Sequence, residues 1–587
     1  MDSKRYEEEN TVPITERPNE LTRDIDVGSA GDIVRILRQC DSQIFSGWKH
    51  FQSIYDEETI FAMEKVVEKA AEVLQQSGAV VLSGCGTSGR IAFFLAQKFS
   101  KLAKEQGLLA SYEYIIAGGD IALFMSQEAP EDDWRKGQED LAQVSSNKTR
   151  VLYIGITCGL SAPYVAGQLD YCMNHPDVFI PVLLGFNPVS QARRNVIEGW
   201  SKSFYDVACA LQDYESGIIL NPVVGPEAIT GSSRMKGGSA TKILLESILL
   251  KAHITVGKSS LMPGCIGTLH QFLLMYEHMY RATYLNHSSI SKAVELAAKS
   301  LQCKGQVYYT GWGSSGFMGL LDASECVPTF SAHFDDIRGF LEGGYHTLKN
   351  EEGEYLLNGL TKLQISLRDF QESFLPNLTL HDTVTFICSE GNVIQQVRKL
   401  VNLTEKKGAH VIGIVCEKEK ELSNVFRNKC LIELKQPSRH EQLFDGHLPV
   451  FDSILNQCLM EMSIKWILNA VSTGAHIVKG KVLGSFMIDL KVSNNKLFHR
   501  AVSIVSKFAR VSQERSHLAV LQSIYRSDVV DSVLNQQVSQ HVSIATAMDQ
   551  VVPVAVLVAT GKFNIESAVE LLRTKTISHI LKNCCFN

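Results

Sequence analysis

The chain lacks any surplus of positive charge: 57 Lys and Arg stand against 63 Asp and Glu, a net charge of −6 over 587 residues. Nucleic-acid binding, which needs a basic face to meet phosphates, is therefore not expected. It has 14 cysteines but no C-x-x-C pair and no metal-ligand spacing, only the adjacent Cys584-Cys585. That usage gives no metal site and reads as the reduced thiols of an intracellular protein. Long apolar runs are missing too, and the strongest late one, Val551 to Ala559, is far too short to cross a bilayer and reads as a core segment. The N-terminus, Met1-Asp2-Ser3-Lys4-Arg5, has no apolar signal core, so secretion is not expected. There is no low-complexity linker either, and the parts of the chain are expected to pack together instead of hanging on tethers.

What is present fits a large globular protein. Hydrophobic residues make up 45% and charged residues 20%, and a chain of 587 residues has room for about three to four domains. Its most telling feature is a repeat. Gly84-Cys85-Gly86-Thr87-Ser88-Gly89-Arg90 returns as Gly311-Trp312-Gly313-Ser314-Ser315-Gly316-Phe317. Each copy follows an apolar run and leads into helical apolar spacing, so both read as strand, loop, helix. In that setting glycines let the backbone approach an anion, free N–H groups at the helix start point at it, and hydroxyls add donors. Thr157 and Ser389, and likewise Gly185 and Gly413, are separated by nearly the same stretch of chain as Gly84 and Gly311, each closing a similar apolar run. Three features at nearly one offset indicate a duplicated domain.

Strand candidates near Tyr112–Ile116, Val151–Ile156, Ile180–Leu184, Ile218–Val224, Val307, Thr383 and His410 alternate with helices, which implies doubly wound parallel sheets. Helical spacing marks Glu57–Gln75 before them, and Leu497–Phe508, His517–Ile524 and Ile565–Leu572 after them. The expected division is an N-terminal helical arm (1–67), two α/β domains (68–285 and 286–478) and an all-helical C-terminal domain (479–587).

Within the first copy, Gly86, Thr87 and Ser88 are the candidate phosphate cradle. Thr157, Cys158, Gly159 and Ser161 end a strand before a helix starting near Pro163, either a second donor cluster or an ordinary helix cap. Ser232, Ser233 and Lys236 are likewise ligand donors or capping groups. A dinucleotide site would want an acid about twenty residues past the loop, and Asp120 lies well beyond that distance from Gly89. Trp312 is bulky enough to fill the second copy's own pocket.

These residues resemble a known family. Gly84–Arg90 resembles the phosphosugar loop of sugar isomerase (SIS) domains. Thr15-Glu16-Arg17-Pro18-Asn19, Ala117-Gly118-Gly119, Glu128–Asp132, Val224–Lys236, Asp322–Thr329 and Gly480–Gly484 are similar to stretches of the N-acetylmuramic acid 6-phosphate etherases. Two such halves fused to a helical end resemble the glucokinase regulatory proteins over nearly the whole chain. The resemblance implies two SIS domains under a helical lid, inhibition of glucokinase as partner, and fructose 6-phosphate or fructose 1-phosphate as effectors. It also implies no cofactor, no catalysis, a nuclear and cytoplasmic location, and a monomer that is internally a pseudo-dimer. Etherase acid–base carboxylates map to Glu131 and Glu325, which would meet in the first half's pocket, while Lys98 falls where the first copy would carry its equivalent of Glu325. The mirror pocket is then expected to be degenerate. The etherase Ser-Gly-Arg-Thr loop is Gly159-Leu160-Ser161-Ala162 here, without its arginine. Lys491 is the expected lid cation, with a surface lysine as the alternative. Leu443 and Phe444, large apolar residues in a polar loop, are either a partner anchor or second-domain core. A retained etherase-like lyase and a non-enzymatic scaffold with vestigial sites are the competing functions.

Overall fold

The computed structural model describes residues 12–257, 268–350, 363–388, 393–435 and 449–581. Its centre is a pair of five-stranded, all-parallel sheets. The first runs in the order β2 (Ser111–Ile116), β1 (Ala79–Gly84), β3 (Val151–Ile156), β4 (Phe179–Leu184), β5 (Ile218–Leu220). The second runs β7 (Ile337–Leu341), β6 (Val307–Gly311), β8 (Thr383–Cys388), β9 (His410–Cys416), β10 (Cys430–Leu434), the same order one duplication later. β1, β3 and β4 are buried along their whole length, as helices on both faces require of a parallel sheet. The chain therefore has the expected class: two doubly wound α/β units and a helical C-terminal region.

Edges were harder to read than centres. The strand expected over Ile218–Val224 stops at Leu220, because Asn221-Pro222 follows and proline has no N–H for the ladder. Two edge strands carry no clear apolar run: β7 includes Arg338 and Gly339, and β10 includes Glu433. The expected helices form as Glu57–Gln75, Asn495–Ala509, Gln513–Tyr525 and Ile565–Thr574. Val551–Ala559 is a fully buried helix. Among the described residues no helix is long and apolar enough to cross a membrane. Residue 67 lies inside the Glu57–Gln75 helix, residue 285 inside the short turn Tyr284–Asn286, and residue 478 at the end of the Pro449–Val478 helix. The described part of the arm holds three single-turn 3₁₀ helices and the helix Ala30–Ser46, opened by a reciprocal Ser29/Asp32 cap.

The halves face each other through the helices that follow the two glycine loops, Gly86–Glu105 and Gly313–Phe330. Phe94 stacks on Phe317 with ring centroids 5.3 Å apart and planes within 3°. Charged joints cross the same seam. Arg234 of the first half donates to Asp322 of the second at 3.0 Å, and Asn469 and Ser472 donate to the same carboxylate oxygen. All four residues are buried, so the charge of the pair is met by fixed hydrogen bonds from the protein.

Candidate functional site

The first glycine loop opens the Gly86–Glu105 helix beside β1. Cys85 is extended at the N-cap, and no side chain caps the helix start. Gly86 has φ +50 and would carry a Cβ into open space, so the left-handed backbone and not crowding is what asks for glycine. The second loop repeats this conformation: Trp312 has φ −115 and ψ 146 where Cys85 has −111 and 151, and Gly313 has φ +56.

At the first loop lie two lobes of a cavity, of 50 and 100 Å3, sharing Ser88, Glu131, Ser233, Lys496 and Arg500 in their walls. One lobe reaches Thr157, Cys158, Gly159 and Ser161; the other reaches Gly86, Thr87, Ser232 and, from the second half, Glu325. The structure thus brings together every residue of the expected cradle, both candidate loops and both glutamates. Ser88 and Cys158 stand 4.0 Å apart, and the Ser161 amide donates to the Thr157 hydroxyl at 3.3 Å.

Two expected residues stand elsewhere. Lys491 donates to the Met548 carbonyl at 3.0 Å and to Asp549, and lines neither lobe. The lid cations at the cavity are Lys496, which donates to Glu131 at 2.6 Å, and Arg500, which makes two hydrogen bonds to Glu16 of the arm at 2.9 and 2.6 Å. The reason is local: Asn494 caps the Asn495–Ala509 helix, whose first two turns then face the cavity, while Lys491 precedes the cap. Lys236 is fully buried but points away, donating to Gln43 on the Ala30–Ser46 helix. Its own amide and that of Gly237 donate to Glu227, which caps the start of the next helix. Leu443 and Phe444 lie outside the described residues.

Sequence reasoning passed over Glu16, Cys85, Arg90, Lys496 and Arg500. The arm motif around Glu16 was visible, but nothing in it says that an arginine near the far end of the chain will pair with it. The lid is seated by further contacts with the Glu131 loop: the Asn495 amide donates to Asp132 at 2.8 Å. Gly231, at φ +76, is a second place where only glycine serves, since a Cβ there would stand 2.6 Å from the Arg500 guanidinium carbon.

Electrostatically the cavity is strained in both signs. Burial pushes the Glu325 carboxyl up, against the opposing pull of Arg90, Arg234 and Lys465 and of the Thr87 hydroxyl beside it. Arg90 sits 3.7 Å from Glu325, both side chains all but fully buried. Burial works against the charge of Lys496, but Glu131 and Glu128 outweigh it and hold the ammonium above its ordinary value. Burial also raises Asp132, to about 6. Neither Glu325 oxygen nor the second terminal nitrogen of Arg90 has a well-formed hydrogen bond, nor has the Ser232 hydroxyl. Such a set can bind a polyhydroxylated anion: carboxylates accept from sugar hydroxyls, and loop hydroxyls, free amides and a lysine meet a phosphate.

At the second loop the counterpart residues differ. The cavity beside Gly313 and Ser314 measures 740 Å3 and is walled by Phe94, Phe317 and Lys98. Lys98 does line it, as expected. Trp312 is buried in the second domain's core, its indole N–H donating to Gln396 at 3.0 Å, and it does not close this cavity. Behind Lys98, ligand atoms of Glu246, Cys458 and Glu461 lie within 4.8 Å of one another, a spacing a metal could use. Lys98 and Lys242 each bond Glu246 at 2.7 Å there, so two lysines already balance the two glutamates.

Fold and cavity together define a tandem SIS-type protein with a helical lid, built around one polar interdomain site and one altered copy. Residues 62–173 match the glucokinase regulatory protein N-terminal SIS domain, 284–479 its second SIS domain and 484–581 its C-terminal lid domain. The chain belongs to the glucokinase regulatory protein family. It is 41% identical to the glucokinase regulatory protein of Xenopus laevis over 563 residues, covering 94% of this chain and 89% of that one. With the protein of that name from Homo sapiens it shares 40% over 562 residues, covering 94% and 88%. N-acetylmuramic acid 6-phosphate etherase 2 of Vibrio cholerae is 30% identical over 293 residues, half of this chain and 79% of the etherase.

Proposed function

We propose that this chain inhibits glucokinase under the control of a fructose phosphate, fructose 6-phosphate or fructose 1-phosphate, bound at the first-loop cavity. One observation carries the reading: that cavity is walled by the first α/β domain, by Glu325 of the second and by Lys496 and Arg500 of the lid. A ligand shifts a conformational equilibrium only by its different affinity for the two states, so an effector site must touch parts that move relative to each other. The lobes, at 50 and 100 Å3, are smaller than the roughly 300–1,000 Å3 of usual small-molecule sites. Entry of a hexose phosphate would then part Lys496 from Glu131 and tilt the lid, and the lid's new position would be what the partner enzyme reads. The family's named partner, glucokinase, and its nuclear and cytoplasmic location are carried over with that reading, as is the monomeric state. Glucokinase assayed with the chain should be inhibited, and one or both fructose phosphates should change the degree of inhibition. Inhibition identical with and without both would contradict the proposal. Leu443 and Phe444 are proposed as the anchor: Leu443→Ala with Phe444→Ala should abolish inhibition without lowering the melting temperature.

A second reading has its own support. Glu131 and Glu325 share one cavity in differing surroundings: Lys496 bonds Glu131 at 2.6 Å, whereas burial outweighs the pull of Arg90 and pushes Glu325 towards its neutral form, as an acid–base pair would need. An etherase-like lyase would release lactate from N-acetylmuramic acid 6-phosphate. Absence of lactate after prolonged incubation would remove this reading and leave the regulatory one.

A further inference from the structure

The duplication left a second cavity whose lining has changed character. At the repeat's offset Gly86 becomes Gly313 and Thr87 becomes Ser314, so the open loop is kept. Arg90, however, becomes Phe317, and Glu325 is matched by Lys98. The carboxylate and guanidinium that would handle sugar hydroxyls are gone. In their place Phe93, Phe94, Phe317, Leu348 and Ile454 form an apolar wall. The Ser314 hydroxyl is engaged as well, accepting from Gln457 at 2.7 Å.

The mouth of this cavity is cationic. Lys98 is taken up by the Glu246 and Glu461 carboxylates behind it. Among the described lining residues that leaves Lys101, Lys104 and Lys349 against the single carboxylate of Glu105. Lys101 is 81% exposed and is restrained only by a 3.9 Å contact with Glu105, so it can turn to a ligand at little cost. The volume, 740 Å3, falls within the roughly 300–1,000 Å3 of ligand sites. An apolar wall with a basic mouth fits one ligand chemistry: an apolar body inside and a negative group at the entrance.

We propose that the cavity beside the second glycine loop binds a soluble single-chain amphipathic anion, an alkyl or acyl chain ending in a phosphate or carboxylate. The site is independent of the fructose phosphate reading, since it shares no lining residue with the first-loop cavity. It makes the second half a sensor of a different ligand class from the first.

Isothermal titration of the full chain with decyl phosphate, below its micelle concentration, tests this. One molecule should bind per chain, and neither inorganic phosphate nor the neutral octyl glucoside should match its affinity. Lys101→Glu combined with Lys349→Glu reverses the mouth and should weaken decyl phosphate by about tenfold or more. Ser453→Trp, at an exposed wall position, should fill the cavity and abolish binding. Melting curves establish that both variants are folded, and fructose 6-phosphate titrations should be unchanged in both. No heat with decyl phosphate, equal binding of octyl glucoside, or binding that survives both variants would overturn the proposal.

Discussion

At the first loop Glu325 arrives from the opposite half with Arg90 and Arg234 near it; at the second, Lys98 stands in the place of Glu325 and Glu461 in that of Arg234, each displaced by the repeat's own offset. Glu325 and Arg234 are buried neighbours, each with its own nearer partner in Arg90 and Asp322, and both positions have reversed sign in the second copy. A buried charge left without a partner costs about 3–5 kcal/mol; at the second joint Lys98 and Glu461 pair with each other. The backbone tells the opposite story, since Gly86 and Gly313 have φ +50 and +56 and the residues before them match as closely. Duplication thus preserved the backbone of the glycine loop while the lining diverged, with carboxylates and hydroxyls at the first copy and an apolar wall at the second.

The largest expected effect breaks the joint between the halves. Arg234→Met strands Asp322 in a buried setting and should cost about 3–5 kcal/mol in urea unfolding, with part recovered by adding Asp322→Leu. A loss below about 1 kcal/mol would mean that the apolar seam, and not the ion pair, holds the halves.

The next prediction concerns pH. Burial pushes Glu227, cap of the Lys236–Val256 helix, up to about 7 in the folded protein, whereas at the repeat's offset the second half has the apolar Ile454. A folded-state value above the unfolded one means that the folded form binds the extra proton. Stability from this group therefore rises as pH falls from above 7 towards 4.5, and the penalty is complete above 7. His253 and His476, held neutral by burial to about 3, pull the other way below pH 6.5, so the informative quantity is a difference. Between pH 8 and pH 5 the wild type should gain about 3 kcal/mol relative to Glu227→Gln. Parallel pH profiles for the two proteins would show that Glu227 does not titrate there.

Smaller effects sharpen the contrast between the copies. Ser88→Ala or Thr157→Val should weaken fructose phosphate binding by about 1.5–3 kcal/mol, whereas Ser315→Ala, the counterpart of Ser88, should leave it unchanged. Calorimetry showing equal losses at Ser88 and Ser315 would put a sugar in both cavities. Smaller still, Lys496→Met should weaken binding by about 1–2 kcal/mol, and Lys491→Met should not; the reverse order would return the lid cation to Lys491.

Much of this was legible in the sequence, for reasons that also explain the misses. Strands at the middle of each sheet are apolar throughout because both faces are covered, so β1, β3, β4, β6, β8 and β9 announced themselves. The edge strands β7 and β10 did not: Arg338 interrupts the apolar run of the fully buried β7, its guanidinium held by Asp335 and the Gln364 carbonyl, and Glu433 sits on the partly exposed β10. The loop residues Gly86, Thr87 and Ser88 were readable because a left-handed glycine and adjacent hydroxyls are a local signal. Lys496, Arg500 and Glu16 were not, because their roles come from a lid folding back onto parts of the chain far away in sequence. Lys236 misled for the opposite reason: it belongs to a conspicuous local motif, yet its side chain serves the arm helix instead of the cavity.

The central claim is that two cavities of common origin now differ, and that one alone takes a phosphosugar. Isothermal titration of the intact chain with fructose 6-phosphate and fructose 1-phosphate measures it directly. The account predicts one site per chain, competitive between the two sugars and lost in Ser88→Ala with Glu325→Gln. Two equivalent sites per chain, or binding untouched by that double variant, would contradict it.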